Sequence, residues 1–530
     1  MRLMRRVRGT ALLLCVGTSS LAAGCPFNAL EDCEQNATLS CYWDRFEQAS
    51  TGGDDGGTPP ACVPSANADP VSDACGVFVA KGGDDSNDGT RESPVATLAR
   101  AVELAQKESG RVYACAETFE EALVIDNRIE MYGGLDCAKG WAYAGATAKT
   151  MLTAAADAIP LVMKSSASGA RVEDFAIHAV DAVKEGGSSI AVLADGAMAE
   201  LVRCELAAGS GAKGADGADG DPSGTVATAG AAGSAGKDAC SDVDGTPGPD
   251  ALLSGGAQVT NDCGNDAISI GGRGGDGNVT NGNDGSSGQT GTKGQAGVGE
   301  SLMGMWDCVP GSGQGTSGSS GEAGAPGTGA TGLGSLSASG YLGANGGAGA
   351  LGKAGQGGGG GGGAKGGKIC AGGVAGSGAS GGSGGAGGCG GLPGQGGGSG
   401  GASIALVSLS ASVTLTDCSL TSSKGGDGGA GGDAQGGGPG GLPGIGGQGV
   451  GVSNPGCSGG QGGKGGNGGP GGGGLGGPSI GIAFQGSAPM KSGETSVTPG
   501  TPGAGGPGGS VNVAMNAGAA GVAGEQQEFP

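Results

Sequence analysis

Apolar residues in this chain come in short runs broken by turn clusters, and no long helical stripe is present. Val77-Phe78-Val79-Ala80 reads as a strand, and the cluster from Gly82 to Thr90 reads as the turn that follows it. Pro94 then opens residues 95–105, whose apolar positions fall at helical spacing, so a short amphipathic helix is predicted there. Arg111 to Cys115, Ala122 to Ile125 and Arg128 to Tyr132 read as further strands, with Gly133-Gly134 ending the last of them.

The apolar pattern then repeats. Val172, Phe175 and Ile177 recur 29 residues later as Leu201, Cys204 and Leu206, and 214 residues after that as Leu415, Cys418 and Leu420. The run Ser189-Ile190-Ala191-Val192-Leu193 matches Ser403-Ile404-Ala405-Leu406-Val407 at the same 214-residue offset, and Ser479-Ile480-Gly481-Ile482 is a third copy. A period near 29 with short strands is one round of a solenoid, in which each round buries its face on the next. The stretches between copies, 209–401 and 424–478, are then insertions that leave the stack at one corner. If the first of these loops out, Cys204 and Cys418 come to lie on neighbouring rounds. Strands there are spaced about 4.7–4.9 Å apart, within the range a disulfide spans. A Cys204–Cys418 bond is one expectation, and inward stacking without a bond is the other.

Composition sharpens this division. All but twenty of the 134 glycines lie after residue 208, where only Trp306, Tyr341, Phe484 and Phe529 are aromatic. Glycine brings no side chain to a core and loses the most entropy on folding, so this part cannot build an ordinary apolar interior. Gly-Gly-x runs dominate it, as in the GGDGGAGGDAQGGGPGG stretch. They differ from collagen, which has one Gly in every three over long runs with abundant Pro. Period three with Gly on two faces permits packed, polyproline-II-like segments whose amides bond between neighbours. The plain alternative is a disordered low-complexity loop.

The first residues supply an address. Arg2, Arg5, Arg6 and Arg8 precede an apolar stretch from Ala11 to Val16, and Leu21-Ala22-Ala23-Gly24-Cys25 ends in small residues before a Cys. This is the order of a secretory signal. The 21–25 run resembles the lipobox of bacterial lipoproteins, which implies cleavage before Cys25 and a lipid on that residue. The rival is an ordinary secreted protein with Cys25 in a disulfide. Pro26, where an inner-membrane signal would have Asp, makes the outer membrane the default. Of the 16 cysteines, removal of Cys15 and lipidation of Cys25 leave an even number, as disulfides in an exported chain require. The formal net charge is −22 and grows more negative when the signal arginines are lost. Such a surface repels nucleic acid and anionic headgroups.

The entry of the ordered part resembles the N-terminal entry of right-handed parallel β-helix proteins of the pectin-lyase-like superfamily. The resemblance rests on Gly83 to Thr90, Pro94, the 95–105 helix and Tyr132-Gly133-Gly134-Leu135, within about 76–206. The Gly-Gly-x tracts resemble those of PE-PGRS proteins, without the PE domain of that family. Together these imply an all-β fold. It is a short right-handed parallel β-helix with an N-terminal capping helix and large Gly-rich insertions, partly polyglycine-II-like or disordered. The expected organisation is a signal peptide over 1–24, a Cys-containing tether over 25–75 and the first part of the β-helix over 76–208. The Gly-rich insertions take 209–401 and 424–478, the coil over 402–423 separates them, and a final coil with a Gly-rich tail fills 479–530.

Chemistry is sparse. Asp84, Asp85, Asn87 and Asp88 could ligate a structural calcium ion, but they lack EF-hand spacing, and their plain reading is a solvated Asx turn. Arg171, Glu173, Asp174, Arg203, Glu205 and Asp417 are the one charged group that could carry β-helix carbohydrate chemistry. Their plain reading is a solvated outer face, with Glu173 and Asp174 pointing outward between Val172 and Phe175. The Gly-x-Gly-x-x-Gly strings open no helix after a strand and carry no nucleotide signal. His178 is the only histidine. No catalytic residue and no cofactor are assigned. The expected function is structural or adhesive, in a protein held to the envelope by the lipid on Cys25. Its candidate partners are the membrane, envelope polysaccharide and surface proteins, with nucleic acid excluded. The alternative is a degenerate β-helix enzyme or glycan-binding protein.

Overall fold

The computed structural model describes residues 62–67, 70–145, 147–241, 252–264, 267–289, 293–302, 305–512 and 516–530. The signal region and Cys25 lie outside them. Strands dominate, with few helices, and no helix among the described residues is long and apolar enough to cross a membrane.

Three parallel sheets form the framework. The first runs Val77–Val79, Arg111–Cys115, Glu130–Asp136, Ala170–Glu173, Met198–Val202, Ser412–Thr416 and Met490–Ser492. The second runs Thr118–Glu120, Thr150–Thr153, Phe175–Ala179, Glu205–Ala208, Ser419–Ser422 and Ser496–Thr498. The third runs Leu123–Ile125, Leu161–Met163, Ser189–Asp195, Ser403–Leu409, Ser479–Gln485 and Ala523–Glu528. From residue 111 onward the framework strands visit the three sheets in rotation, interrupted by the short strand Ala142–Tyr143, which turns back antiparallel onto Glu130–Asp136, and by the hairpins of the Gly-rich stretches. The repeat read from sequence is the pairing register. Leu201 lies opposite both Val172 and Leu415, and Leu206 lies opposite Ile177 and Leu420. Ile404 lies opposite Ile190 and Ile480.

One apolar core is enclosed by the sheets. Phe175, Leu201, Leu206, Leu415 and Leu420 all belong to it, as expected, and are almost wholly buried. The helix Leu98–Ala105 covers its start. The helix begins three residues later than the apolar pattern predicts. Val95 bridges to Val79, and the Asp85 carboxylate accepts the amides of Ala96 and Thr97. Glu121 then accepts the amides of Leu98 and Ala99, and Thr97 caps Arg100. The orphan donors of the first turn are thus all used. Gly133-Gly134 does not end a strand. Glu130–Asp136 runs through it with a register shift, because a Cβ on Gly133 would come within 2.6 Å of the Asp174 carbonyl and Gly134 takes φ +70°. This is a bulge, which needs glycine for close approach and positive φ.

The Gly-rich stretches leave after a second-sheet strand and return at a third-sheet strand: from Ala208 to Ser403, from Ser422 to Ser479, and from Thr498 to Ala523. Among the described residues, apart from three short hairpins, the turn Ala371–Gly373 and the helix Gly509–Asn512, they run as extended segments side by side, bonded at every third residue. Gly211, Gly214, Gly217 and Gly220 donate to the carbonyls of Lys424, Asp427, Ala430 and Asp433. Gly385, Gly388, Gly391, Gly394 and Gly397 donate to Gly460, Gly463, Gly466, Gly469 and Gly472. The segment over 376–402 is surrounded. It bonds to 209–239, 424–448, 456–478 and 343–364, and Gly381 and Gly384 donate to Gly275 and Gly272 on a further side.

Here glycine is required by contact rather than by φ. A Cβ at Gly384 would lie 2.0 Å from the Gly358 carbonyl oxygen, and one at Gly385 would lie 2.2 Å from that of Gly441. Every third position carries the side chains along the central segment: Ser380, Ser383, Ala386 and Cys389, which are buried, and Leu392, which is exposed. Short polar side chains there take up amides of the next segment. Asp216, Asp219 and Asp238 accept from the amides of Ala430, Asp433 and Gln448 at 2.8, 2.8 and 2.7 Å. Three disulfides, Cys240–Cys370, Cys263–Cys389 and Cys308–Cys457, cross-link the segments. Cys62–Cys75 and Cys115–Cys137 staple the beginning of the framework.

Candidate functional site

Four of the six charged residues singled out in the sequence converge at the outer face of the first sheet and its corner with the second. Alternate residues of a strand share a face, so two ladders run across the strands there. One is Arg111, Glu130, Arg171 and Glu200, which alternate in sign from strand to strand. The other stacks Phe78, Tyr113 and Tyr132 and ends on Glu173. Their rings lie 5.0 and 5.5 Å apart.

At the corner between the first and second sheets, Asp174, Arg203 and Asp417 occupy the same place in successive rounds. Their φ values are +59°, +50° and +54°. A single left-handed residue makes the turn, a conformation costly for most L-residues and least so for Asp and Asn. It brings the guanidinium of Arg203 onto Glu173 and Asp174. The Arg203 Nη2–Asp174 Oδ2 distance is 2.8 Å and the Nε–Oδ1 distance is 3.1 Å. Arg171 grips Glu173 through Nε and Nη2 at 3.0 and 2.9 Å, and also pairs with Glu200.

At Glu173 and Asp174 this face is not solvated, which corrects the sequence-based expectation for those two residues. Glu173 and Asp174 are each 1% exposed. The segment around Pro64–Ala66 lies over them, and the Ser65 hydroxyl donates to Glu173. The Tyr143 hydroxyl donates to Asp174 at 2.8 Å, and Lys149 approaches Asp174 at 3.8 Å while donating to the Arg203 carbonyl. The Cys62 carbonyl accepts from the Tyr113 hydroxyl at 2.7 Å, so the covering segment also caps the aromatic stack. Burial alone would push the Glu173 carboxyl up, but Ser65, Arg171 and Arg203 outweigh it and hold it below the usual carboxylate range. Burial, with Asp174 adding to it, pushes the Tyr143 hydroxyl up to about 12.

Of the six residues singled out, Arg171, Glu173, Asp174 and Arg203 come together. Glu205 is exposed on the next sheet, and Asp417 accepts instead from the amide of Glu494. Ser65, Tyr143, Lys149 and Glu200 were missed. Glu200 could have been found, since it follows Arg171 by the same 29 residues that separate Asp174 from Arg203. The group is a saturated ion-pair network. Glycoside hydrolysis needs one carboxyl raised and free to give a proton, whereas Glu173 is held low and Asp174 is fully engaged.

The Asp84–Asp88 loop does not gather its oxygens on one point. Asp84 accepts from the Ser86 amide and hydroxyl, Asp85 turns to the helix start, and Asn87 donates to the Pro94 carbonyl. Asp88 meets only Thr90, at 3.4 Å. No group of three or more His, Cys, Asp or Glu side chains among the described residues is placed to hold a metal ion.

Cys204 and Cys418 stack on neighbouring rounds in the core, and the Cys204 amide lies 3.4 Å from the Cys418 sulfur. They are free thiols, so the expected disulfide is absent and the stacked alternative holds. Side chains in a parallel ladder run side by side. The two thiols touch, and each sulfur also faces backbone carbonyls, Val172 and Val202 for Cys204 and Leu201 and Thr416 for Cys418. Comparison with known protein families, curated proteins and solved structures finds no match to this chain.

Proposed function

We propose that this chain is an outer-membrane lipoprotein whose lipid on Cys25 anchors a right-handed parallel β-helix, and that the helix carries a projecting polyglycine-II-like block with a structural or adhesive role at the cell surface. The observation that carries this reading is the construction of the block. Each segment leaves the framework at a corner, and the 213-residue spacing of Gly211 from Lys424 keeps nearly the 214-residue offset of the strands below. The rounds of the framework are thus continued outward as rows. At about 3.1 Å per residue for three residues per turn, the row 424–448 extends about 75 Å. A rod of that length, cross-linked and without a free catalytic group on the charged face described above, suits holding or display rather than turnover. The strongly acidic composition suits a soluble, non-aggregating surface.

The test compares cells carrying the chain with cells lacking it, for envelope integrity and adhesion, and incubates the purified chain with pectin and other acidic glycans. Loss of adhesion or integrity, with no product from the glycans, is expected. Unsaturated product or new reducing ends, in cells whose adhesion is unchanged by the deletion, would make the chain a carbohydrate-active enzyme instead. Absence of labelled palmitate from the protein would remove the anchor.

A further inference from the structure

Glu300 is a buried carboxylate within the glycine block, 5% exposed. Its backbone is held on both sides: its amide donates to the Gly363 carbonyl at 2.9 Å, and its carbonyl accepts from Gly282 at 2.8 Å. Its two side-chain oxygens are used differently. Oε2 accepts the backbone amide of Lys365 at 3.0 Å. Oε1 accepts from the Asn454 Nδ2 at 2.9 Å and lies 3.6 Å from the Lys365 Nζ. An amine, a carboxamide and a carboxylate from three separate segments thus meet at one oxygen.

The two partners are fixed close by. Lys365 pairs with Asn278, and the Gly366 amide donates to the Asn278 carbonyl at 2.7 Å. Gly449 packs so closely on Asn454 that a Cβ there would come within 2.8 Å of the Asn454 carbonyl carbon. Beyond Asn454 the chain is tied by Cys308–Cys457, and beyond Lys365 by Cys240–Cys370. Residue 455 is a proline. The usual intramolecular attack on an asparagine carboxamide comes from the next backbone nitrogen, and proline has no N–H to make it. The Asn454 carboxamide is therefore kept for another nucleophile, and the nearest amine shares its oxygen.

We propose that Lys365 and Asn454 join through an isopeptide bond, with Glu300 as the catalytic residue that carries the protons. Oε1 takes a proton from the Lys365 ammonium and leaves a free amine. The flexible lysine stem turns past Oε1, and the Nζ lone pair attacks the Asn454 Cγ, whose carbonyl electron pair moves to Oδ1. Glu300 gives its proton to Nδ2 and takes one from Nζ. The carbonyl re-forms, the Cγ–Nδ2 bond breaks and ammonia leaves, taking the last proton from Glu300. An ammonium and a carboxamide have become a secondary amide and an ammonium ion, so atoms and charge balance and no oxidant is needed. Reactants held in one geometry avoid the entropy of encounter, and a positioned carboxylate serves as base and then acid. The bond would tie residue 365 to the turn after residue 448, which no disulfide among the described residues joins directly. It goes beyond the adhesive reading and does not depend on it.

The test is made on the full chain, reduced, alkylated and digested with trypsin. Mass spectrometry should find one branched peptide joining the Lys365 and Asn454 segments, lighter by one ammonia than the two linear peptides together, with no cleavage after Lys365. Lys365→Arg and Asn454→Ala should each lose it while keeping the three disulfides of the block. Glu300→Gln should slow its appearance after synthesis by about a hundredfold or more. Linear peptides alone from the unaltered protein overturn the proposal. So does loss of ammonia confined to the linear peptide that carries Asn454, which is cyclisation onto the backbone. A branched peptide formed equally fast in Glu300→Gln overturns the role of Glu300. None of these readouts involves a membrane or adhesion, so the proposal and the adhesive reading stand or fall separately.

Discussion

Gly384 measures how far the glycine block depends on backbone contact. It is buried in the central segment, its amide bonded to the Gly272 carbonyl at 2.8 Å. In Gly384→Ala the new methyl carbon starts 2.0 Å from the Gly358 oxygen and 2.4 Å from its carbon. Real contacts do not fall below 3.0 Å, so the neighbouring backbone must retreat by at least the difference between 2.0 and 3.0 Å. That backbone is fixed on both sides. The Gly358 carbonyl accepts from Gly272 at 2.8 Å, and the Gly358 amide donates to Gly385 at 2.9 Å. Overpacking of this kind costs about 1–3 kcal/mol. A buried amide left without its partner costs about 1–3 kcal/mol more. A total near 4 kcal/mol is on the order of several hundredfold in local opening at about 1.4 kcal/mol per tenfold. Native-state hydrogen exchange reads it directly, as faster exchange at Gly272, Gly358 and Gly385 with little change in the Leu201 and Leu415 strands. Gly436→Ala is the control. The nearest atom to its added carbon is the Val226 Cγ1 at 3.2 Å, on a side chain 57% exposed, which can rotate away. Protection in Gly384→Ala equal to that of the unaltered protein, or equal losses in both variants, would refute a block held by backbone approach.

Three further outcomes are expected. Leu415→Asp puts a lone carboxylate at a fully buried position of the framework core and should prevent cooperative folding, seen as loss of the thermal transition by circular dichroism. Glu173 is held below its ordinary value, so its contribution is present above the unfolded pKa, near 4.5, and is lost as pH falls through the lower folded value. Stability measured by denaturant should therefore fall below about pH 4.5, and Glu173→Gln should flatten that fall. Peptide mapping without reductant should recover Cys240–Cys370, Cys263–Cys389 and Cys308–Cys457, while Cys204 and Cys418 alkylate only after unfolding. Recovery of a Cys204–Cys418 peptide would contradict the stacked thiols.

The framework was legible because its rounds repeat. Leu201 and Leu415 share a register that the 214-residue offset states outright, and the corner at Ala208 is where the apolar pattern stops. Short strands such as Thr118–Glu120 and Leu161–Met163 were not legible, since three residues carry too little periodicity. The burial of Glu173 was hidden for a different reason. Its cover comes from Ser65, 108 residues earlier, in a stretch that reads as a flexible tether and is fixed by Cys62–Cys75. Nothing local to Glu173 marks that cover. Gly133-Gly134 misled because a glycine pair signals a turn, and only the neighbouring Asp174 backbone makes it a bulge.

The two halves of this chain are held by different forces, and the sequence records the exchange. In the framework, burial of Phe175, Leu201 and Leu415 opposes chain entropy in the ordinary way. In the block that term is nearly absent, and glycine raises the entropy cost. What replaces it is saturation. Gly381, Gly384, Gly385 and Gly388 each bond to a neighbouring segment, at distances a single Cβ would abolish. A lattice of this kind has no natural edge, because any glycine row can accept another. The positions that carry side chains settle where it ends. Pro439, Leu442 and Ile445, and Lys213, Asp216 and Asp219, face outward at three-residue spacing. A further row could not approach them at glycine distance. Asp216 and Asp219 also accept amides of the adjoining row that would otherwise lack a partner. The same Gly-Gly-x grammar therefore specifies both the interior contacts and the boundary. The period-three side chains act as the edge devices that charged and bulky residues provide on an exposed β-strand.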